Sequence, residues 1–371
     1  MWSNFPSQPA TCNLQPATRN LQPATCNRMA NIREVASLAG VAPITVSRVI
    51  NNAGYVSAET RHRVEEAIRQ SGYVPNTLAR SFRWKQTGML ALVLTDITNP
   101  FWTTVARGVE DAASDAGLNL ILCNTDESAS KQDRYLQALA QKQVDGVLLV
   151  PVGSAVEPIR FMQKQKVPVV VLDRRLPEPV ADVVRCDSEH AAYRLVRLLL
   201  NLGHRRIALL NGPAGVSTAA DRLAGYRRAL AEAGLGPEAD IVYYGAFTVA
   251  SGHDMACQAL AGPPDAPATA PLRPTACFAA NNFIAIGALK ALAEAGLVVP
   301  GDMAVVGFDD LPPALVVDPF LTVAVQPAYE MGRKATELLL ARMSAQSPPA
   351  FCEIVLPAEI VERRSTAPQR S

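Results

Sequence analysis

One short segment of this sequence carries side chains suited to reading the edges of nucleic acid bases. An arginine such as Arg48 can donate two parallel hydrogen bonds to guanine, and a threonine such as Thr45 can bind a phosphate or contact a thymine methyl group. Ile44 can make only an apolar contact, which also suits a thymine methyl group. The candidate contact residues of this segment are Pro43, Ile44, Thr45, Ser47 and Arg48.

A second group of polar and aromatic side chains follows apolar segments that are typical of β-strands. Amides and carboxylates bind hydroxyl groups, a guanidinium binds a carboxylate or a hydroxyl, and aromatic rings stack on the apolar faces of sugars. The candidate ligand contacts are Asp96, Asn99, Phe101, Trp102, Asp173, Arg174, Asn281, Asp309 and Gln326. The alternative for each Asp or Asn is a cap or turn at the strand end, and for the two aromatic residues an ordinary core position.

The first group requires two short helices that meet at a tight turn. Asn31 followed by Glu34 predicts a capping box at the start of the first helix, and Gly40 supplies the turn. Ala42 stands where a capping side chain is preferred, so we expect the second helix to lack a side-chain N-cap. The pattern predicts an all-α helix-turn-helix, completed by a third helix over residues 58–71.

The second group requires strands whose carboxyl ends meet in one place. From residue 89 onward, apolar segments such as MLALVLT, GVLLV and VPVVVLD alternate with helical patterns as far as LTVAV at 321–325. Continuous apolar strands that alternate with helices predict doubly wound parallel sheets covered on both faces. About ten strands are too many for one sheet of ordinary width. We therefore predict two similar α/β lobes with a ligand cleft at the strand ends.

Composition separates a basic head from an acidic body. Hydrophobic residues make up 49% of the 371 residues and charged residues 19%, and the net charge is only +1. Residues 31–86 nevertheless contain eight Arg or Lys against four Glu, which is expected of a DNA-binding module joined to a sensor. Seven scattered cysteines and isolated histidines predict neither a disulfide framework nor a metal site. No segment is typical of a membrane span or a secretory signal, so we expect a cytoplasmic protein.

From residue 31 to the C-terminus, the sequence resembles the LacI/GalR family of bacterial transcription regulators. The resemblance rests on the head motif EVASLAGVAPITVSRVINN and on the body motifs DITNPFW, VDGVLLVP, LGHRRIALLNGP, DRLAGYRRAL, FAANNFIAIGAL and VVGFDD, which occur in the family's order. It implies a homodimer whose two heads bind near-palindromic, double-stranded operator DNA. It also implies lobes of the periplasmic-binding-protein type that bind a small-molecule effector, such as a sugar or a sugar acid.

The family has a hinge helix after the head, which implies further DNA contacts at Asn76, Ala79, Arg80 and Phe82. Phe82 stands where the family usually has a leucine that wedges between base steps in the minor groove. The alternative is that Leu78 and Phe82 only pack the paired hinge helices together. In the body, AANN at 279–282 replaces the more usual AAND of the family, so Asn282 stands where a carboxylate is expected.

These inferences divide the chain into four parts. Residues 1–29 contain repeats of QPATCN or QPATRN and are predicted to be disordered or to precede the true start of translation. The other parts are a DNA-binding domain (30–75), a hinge helix and linker (76–87), and a core that binds the effector and dimerises (88–371). Within this core, the first lobe is assigned residues 88–157 and 323–350, and the second lobe 158–322 and 351–371.

The expected function is that of a sequence-specific transcription regulator, a repressor whose operator affinity depends on a sugar-like effector bound between the lobes. An inducer and a corepressor are equally compatible with the sequence. The chain contains no G-x-G-x-x-G, Walker A, G-x-S-x-G or H-E-x-x-H motif, so we expect neither an enzyme nor a cofactor. The alternative function is that of a periplasmic-type sugar-binding transport protein without a role on DNA.

Overall fold

The structure is a computed structural model, which describes residues 30–73, 87–262, 273–311, 318–345 and 350–369. The chain divides into two compact units, Met1–Arg80 and Ser81–Ser371. The predictions for residues 1–29 and for the hinge positions lie outside the described residues and stay predictions. The hinge positions concerned are Asn76, Ala79, Arg80 and Phe82.

The described part of the N-terminal unit contains three helices, α1 (Ile32–Ala39), α2 (Pro43–Ile50) and α3 (Ala58–Ser71). The predicted capping box is present at the start of α1. The Asn31 side chain accepts a hydrogen bond from the Glu34 backbone, and the Glu34 carboxylate accepts one from the Asn31 backbone. Gly40 ends α1 in the left-handed conformation, at φ 63°, which suits a residue without a side chain. Fully buried valines from all three helices form the core: Val35, Val46 and Val64.

The C-terminal unit contains two α/β lobes, each built on a six-stranded sheet. The first sheet contains β1 (Met89–Leu94), β2 (Asn119–Asn124), β3 (Gly146–Leu149), β4 (Val169–Leu172), β5 (Asp182–Cys186) and β11 (Glu353–Leu356). The second contains β6 (Ile207–Asn211), β7 (Ile241–Tyr244), β8 (Ala276–Ala279), β9 (Ala304–Phe308), β10 (Thr322–Val325) and β12 (Glu359–Val361). The strand orders are β11-β5-β4-β3-β1-β2 and β12-β10-β9-β8-β6-β7, so the two lobes share one strand order. All pairs are parallel except the edge pair β10–β12.

Both faces of the first sheet are buried, which explains the continuous apolar run of β1. Leu90, Leu92 and Leu94 pack into one core cluster, and the intervening residues pack into another. The described helices of this unit are α4 (Pro100–Asp115), α5 (Ala129–Gln141), α6 (Glu157–Lys164), α7 (Ser188–Asn201), α8 (Ser217–Glu232), α9 (Val249–Ala261), α10 (Asn282–Glu294) and α11 (Ala328–Ser344). A 3-10 helix spans Pro237–Ala239. Among the described residues, no helix has the length and apolar character needed to cross a membrane.

Strand pairing corrects the predicted division of the core into lobes. Assigning 158–322 and 351–371 to the second lobe is wrong for β4, β5 and β11, which pair within the first sheet. Assigning 323–350 to the first lobe is wrong for β10, which pairs in the second sheet, although α11 does pack on the first. The chain therefore crosses between the lobes after β5, β10 and β11. The sequence analysis predicts strands from continuous apolar runs. This criterion misses β5 and β11 because both strands contain charged residues.

Two helices of the second lobe, α9 and α10, approach each other so closely that both need glycine at the contact. A Cβ atom added to Gly287 would overlap the backbone carbonyl oxygen of Val249, and one added to Gly252 would overlap the backbone of Ile284. We therefore expect Gly287→Ala to destabilise the C-terminal unit by about 1–3 kcal/mol, because the helices must separate. The midpoint of urea unfolding of the full chain measures this change.

Gly301→Ala is the matched control for this substitution. A Cβ atom at Gly301 would lie 3.8 Å from its nearest neighbours, which is an ordinary contact distance. This variant should therefore unfold at the wild-type midpoint. Equal midpoints for Gly287→Ala and the wild type would show that the helix contact tolerates a methyl group.

Candidate functional site

The predicted base-reading residues lie on the side of α2 that faces away from the head core. The two valines of α2 are buried. On the other side are three exposed residues, Pro43, Ile44 and Arg48, and two half-buried ones, Thr45 and Ser47. Ile44 leaves 58% of its surface exposed, and Leu38 and Tyr55 of the same unit are also exposed apolar side chains. The sequence prediction left out these two residues, because Leu38 fits the apolar spacing of α1 and Tyr55 lies in the loop after α2.

The start of α2 lacks the side-chain cap, as the sequence predicts. Ala42 has the extended backbone of an N-cap residue, with φ −71° and ψ 148°, and its carbonyl accepts a hydrogen bond from the Thr45 backbone. We expect Ala42→Ser to stabilise α2 by about 0.5–1 kcal/mol, because the serine hydroxyl can accept from a free backbone N–H group of the first turn. Slower hydrogen exchange of the α2 amides in the full chain measures the effect. Ala53→Ser, in the exposed loop after α2, should leave these exchange rates unchanged.

A cavity of about 640 Å³ lies at the carboxyl ends of strands from both sheets of the C-terminal unit. All nine predicted ligand contacts line it, which are Asp96, Asn99, Phe101, Trp102, Asp173, Arg174, Asn281, Asp309 and Gln326. The remaining lining includes Glu127, Thr218, Arg222, Phe247 and Thr248. The structure thus brings the predicted residues together, and their contact with an effector stays a prediction. No group of three metal-binding side chains occurs among the described residues.

Two aspartates occupy equivalent positions in the two lobes. Asp173 follows β4 and Asp309 follows β9, and both have a left-handed backbone, with φ 66° and 67°. Each donates its backbone N–H group to the next strand, Asp173 to Val184 at 2.8 Å and Asp309 to Ala324 at 2.9 Å. Aspartate tolerates this conformation better than most residues that carry a side chain. The repeated turn places one buried carboxylate from each lobe at the cavity wall.

The environment of these aspartates disfavours their charge. Burial raises the pKa of Asp309 to about 6, although the charge of Arg222 and a 2.6 Å hydrogen bond from Gln326 act in the opposite direction. Burial also raises the pKa of Asp173, opposed by the charges of Arg222 and Arg174. A buried carboxylate is stabilised by donors that replace its lost water. Both aspartates are therefore prepared to accept hydrogen bonds from a ligand.

Four buried polar atoms of residues that line the cavity have no hydrogen-bond partner within the described part of the chain. Two are acceptors, Asp173 Oδ1 and Gln326 Oε1, and two are donors, Arg174 Nε and Arg222 Nε. Donors and acceptors come from both lobes, since the first lobe supplies Asp173 and Arg174 and the second supplies Arg222. Unpaired buried polar atoms cost free energy and are rare in folded proteins. Their concentration at one cavity indicates a polar ligand that both donates and accepts.

Arg222 is the main cavity residue missing from the predicted ligand contacts, because its place in the motif DRLAGY favours an internal salt bridge over a ligand contact. Its guanidinium lies 4.0 Å from the ring centroid of Phe308 and donates to the carbonyl oxygen of Ala280 at 2.7 Å. Within the described residues, no carboxylate lies within salt-bridge distance of it. The sequence prediction sought ligand contacts only among residues that follow strands, which we call the strand-end rule. Arg222 is on α8 and does not follow a strand, so this rule could not find it. Phe247, which lies in the loop between β7 and α9, is a further lining residue that the rule left out.

Several predicted ligand contacts also cap helices, which is the alternative role that the sequence allowed for them. Asn99 caps α4 by accepting from the Phe101 backbone at 3.0 Å, and Asn281 caps α10 by accepting from the Ile284 backbone at 2.8 Å. Asn99 and Asn282 also exchange two amide hydrogen bonds of 2.9 and 3.0 Å between the lobes. An aspartate at 282 could not make the second of these bonds, because a carboxylate cannot donate.

The aromatic pair after β1 is nearly buried. Phe101 and Trp102 meet edge to face at 4.7 Å between ring centroids and belong to the core cluster of the first lobe. Their main contribution is therefore to hold α4 on the first sheet, although both residues also line the cavity. The polar residues remain the stronger candidates for ligand recognition.

Comparison with known proteins agrees with this two-part organisation. Residues 31–76 match the bacterial regulatory proteins of the lacI family, and residues 196–366 match the periplasmic binding protein-like domain. The ribose operon repressor of Halalkalibacterium halodurans is 36% identical over 338 residues, which cover 91% of this chain and 97% of that repressor.

Two solved structures show the same architecture. The transcriptional regulator CelR in complex with cellobiose is 33% identical, with a TM-score of 0.68 over 91% of this chain and 100% of its own. The lac repressor dimer bound to operator and the anti-inducer ONPF is 27% identical, with a TM-score of 0.78 over 91% of this chain and 99% of its own. The head, the two lobes and these similarities agree, and the chain belongs to the lacI family of bacterial regulatory proteins.

Proposed function

We propose that this chain is a transcriptional repressor whose affinity for operator DNA changes when a hydroxyl-rich, sugar-like effector binds in the cavity between its lobes. The observation that carries the proposal is the set of four unpaired buried polar atoms at one cavity, supplied by both lobes. A ligand that satisfies atoms of both lobes binds best at one particular lobe separation. Binding therefore favours that arrangement over others, which is the requirement for an allosteric signal.

On the DNA side, we assign base and phosphate contacts to the outward face of α2. Arg48 supplies the donor for a guanine or a phosphate, and Ile44 supplies an apolar contact with a thymine methyl group. Thr45, Ser47 and Pro43 complete the face. Because one head contacts only a half-site, we propose a homodimer on a near-palindromic operator, as the lac repressor dimer is described on its operator.

The route from the cavity to the head begins with direct contacts between the lobes. Besides the amide pair of Asn99 and Asn282, Arg175 of the first lobe forms an ion pair with Asp221 of the second and donates its backbone N–H to Ser217 at 2.8 Å. A ligand that changes the lobe separation must rearrange these contacts. To shift operator occupancy from nearly full to nearly empty, the effector must favour one arrangement by roughly 5 kcal/mol.

The effector class follows from the relatives as well as from the cavity. Cellobiose is bound in the CelR complex, and a ribose-bound structure of a LacI family regulator from Enterococcus faecium is 30% identical to this chain. A sugar or a sugar derivative is therefore the proposed effector here. We place the protein in the cytoplasm, where its DNA target is, and assign it no catalytic role and no cofactor. The head argues against the alternative of a sugar-binding transport protein.

The test of this function begins with selection of genomic fragments by the purified full-length chain at low ionic strength. We expect enrichment of fragments with near-palindromic sites, and a neutral sugar from a panel should change the affinity for them. Deleting residues 1–87 should abolish fragment binding and leave sugar binding intact. A transport protein would enrich no fragment, and this result would overturn the proposal.

A further inference from the structure

The guanidinium of Arg174 is almost completely buried and is held by an acidic side chain of the protein itself. Only 3% of the Arg174 side chain is exposed. Its Nη1 atom donates to Glu127 Oε2 at 2.9 Å and to the Pro151 carbonyl oxygen at 2.8 Å, and its Nη2 atom pairs with Glu127 Oε1. Glu127 therefore binds Arg174 with both carboxylate oxygens.

This two-pronged geometry is the one that an arginine offers to a carboxylate or phosphate ligand. Glu127 belongs to the loop after β2 and lines the same cavity, and 39% of its side chain remains exposed. Its backbone has a φ of 56°, which is uncommon for a residue with a side chain. The loop thus holds a partly exposed carboxylate on a buried guanidinium at the cavity wall.

We infer that Glu127 occupies the position on Arg174 that an acidic effector would take, and that it makes the cavity selective for uncharged, polyhydroxylated effectors. The inference rests on the proposed function and narrows its effector class, since sugar acids and sugar phosphates are excluded. Arg174 keeps only Nε unpaired, and a hydroxyl oxygen is sufficient to accept from one donor.

The second guanidinium of the cavity does not offer an anion site either. The charge of Arg222 opposes the effect of burial on the pKa of Asp173 and Asp309, so its guanidinium already interacts with two carboxyl groups of the protein. In total, five acidic residues line the cavity against two arginines. An added anion would therefore find each arginine of the cavity already beside a carboxyl group of the protein.

Hydroxyl groups satisfy the unpaired atoms without this cost. One hydroxyl can donate to Asp173 Oδ1 or Gln326 Oε1 and at the same time accept from an arginine Nε atom. Neighbouring hydroxyls on a sugar ring repeat this combination of donor and acceptor. A carboxylate group can only accept, so it cannot itself pair with either acceptor.

The test measures binding of neutral and anionic probes to the full-length protein by calorimetry. The neutral probes are D-ribose and cellobiose, and the anionic probes are D-gluconate and inorganic phosphate. The variants are Glu127→Gln, which removes only the charge, and Glu127→Ala, which also opens the space. We expect the wild type to show no detectable binding of either anion, and both variants to bind at least one anion with an affinity at least about tenfold above the detection limit.

Glu178→Gln is the matched control, because Glu178 pairs with Arg160 on the surface of the same lobe and does not line the cavity. This variant should reject both anions as the wild type does. Wild-type binding of gluconate or phosphate, or no gain in either Glu127 variant that folds with the wild-type circular dichroism spectrum, would overturn the inference. If the variants gained anion binding but no neutral sugar changed operator affinity, the proposed function would fail and the selectivity would stand.

Discussion

Asp309→Asn is expected to weaken binding of a sugar effector roughly 10- to 100-fold while making the ligand-free protein more stable at neutral pH. Binding weakens because an amide oxygen accepts a hydroxyl hydrogen bond less strongly than a carboxylate does. Stability increases because the substitution removes a charge that burial disfavours. Substituting a residue that served folding alone would make the protein less stable. Weaker sugar binding together with higher stability would therefore identify Asp309 as a binding residue.

The pH dependence of this stability difference has a defined sign. Burial raises the pKa of Asp309 from 3.8 to about 6, so the folded state holds the proton more tightly than the unfolded state. The stability that comes from the neutral carboxyl is fully present below pH 3.8 and is lost as the pH rises through 6. The advantage of Asp309→Asn should therefore reach at most about 3 kcal/mol at pH 7.5 and shrink as the pH falls below 6.

Urea unfolding at pH 7.5 and at pH 5, together with calorimetry of sugar binding, measures both effects. Asp318→Asn is the control, because Asp318 is an exposed carboxylate paired with Arg364 on the surface. It should change neither stability nor sugar affinity by a measurable amount. A variant Asp309→Asn that is less stable than the wild type at pH 7.5 would contradict the assigned electrostatics of the cavity.

Arg48→Ala is expected to lower operator affinity by roughly 2–6 kcal/mol for the dimer. One bidentate arginine–guanine contact contributes about 1–3 kcal/mol of discrimination, and a dimer makes the contact once in each half-site. Filter binding to the selected operator, and to a variant operator with the contacted guanines replaced, measures the loss. If Arg48 reads a base, the substitution should also remove the preference between these two operators.

Arg69→Ala is the matched control for this experiment. It removes the same charge from the same unit, but Arg69 is on α3 and already pairs with Glu66. Its effect on operator affinity should be small and equal for all sequences, and should diminish in high salt. If Arg48→Ala weakened binding to operator and random DNA by the same factor, the residue would contact phosphate only.

The head was predictable almost to the residue, because its signals are local. Asn31, Gly40 and Ser57 mark helix ends through side-chain or backbone chemistry that acts within four residues. The polar face of α2 then follows from helix periodicity alone. Such features need no knowledge of distant contacts, so a single sequence is sufficient to infer them.

The lobe boundaries and part of the cavity were not predictable in this way, because they depend on pairing between distant segments. β5 joins the first sheet through β4, and β11 joins it from more than 150 residues further along the chain. Arg222 reaches the cavity from a helix, which the strand-end rule does not consider. The Glu127–Arg174 pair likewise joins two strand ends that no local pattern connects.

The predictions for single cavity residues were ambiguous because the same side chain can cap a helix and line the cavity. Asn99 and Asn281 line the cavity and cap helices at the same time, so the two interpretations describe one side chain. A doubly wound fold makes this overlap common, because helix N-termini and the carboxyl ends of strands meet at the same edge of the sheet. The polar side chains there can therefore serve both roles.

In the proposed function, occupancy of the cavity controls the affinity of the head for DNA. The test uses an operator fragment that the wild-type protein has enriched from genomic DNA. This fragment is titrated with the wild type and with Asp309→Asn, each with and without a neutral sugar that calorimetry shows to bind the wild type. We predict that the sugar changes the wild-type operator Kd at least about tenfold, and that Asp309→Asn needs far more sugar for the same change. If a sugar saturated the wild-type cavity and left the operator Kd unchanged, occupancy of the cavity would not control DNA binding.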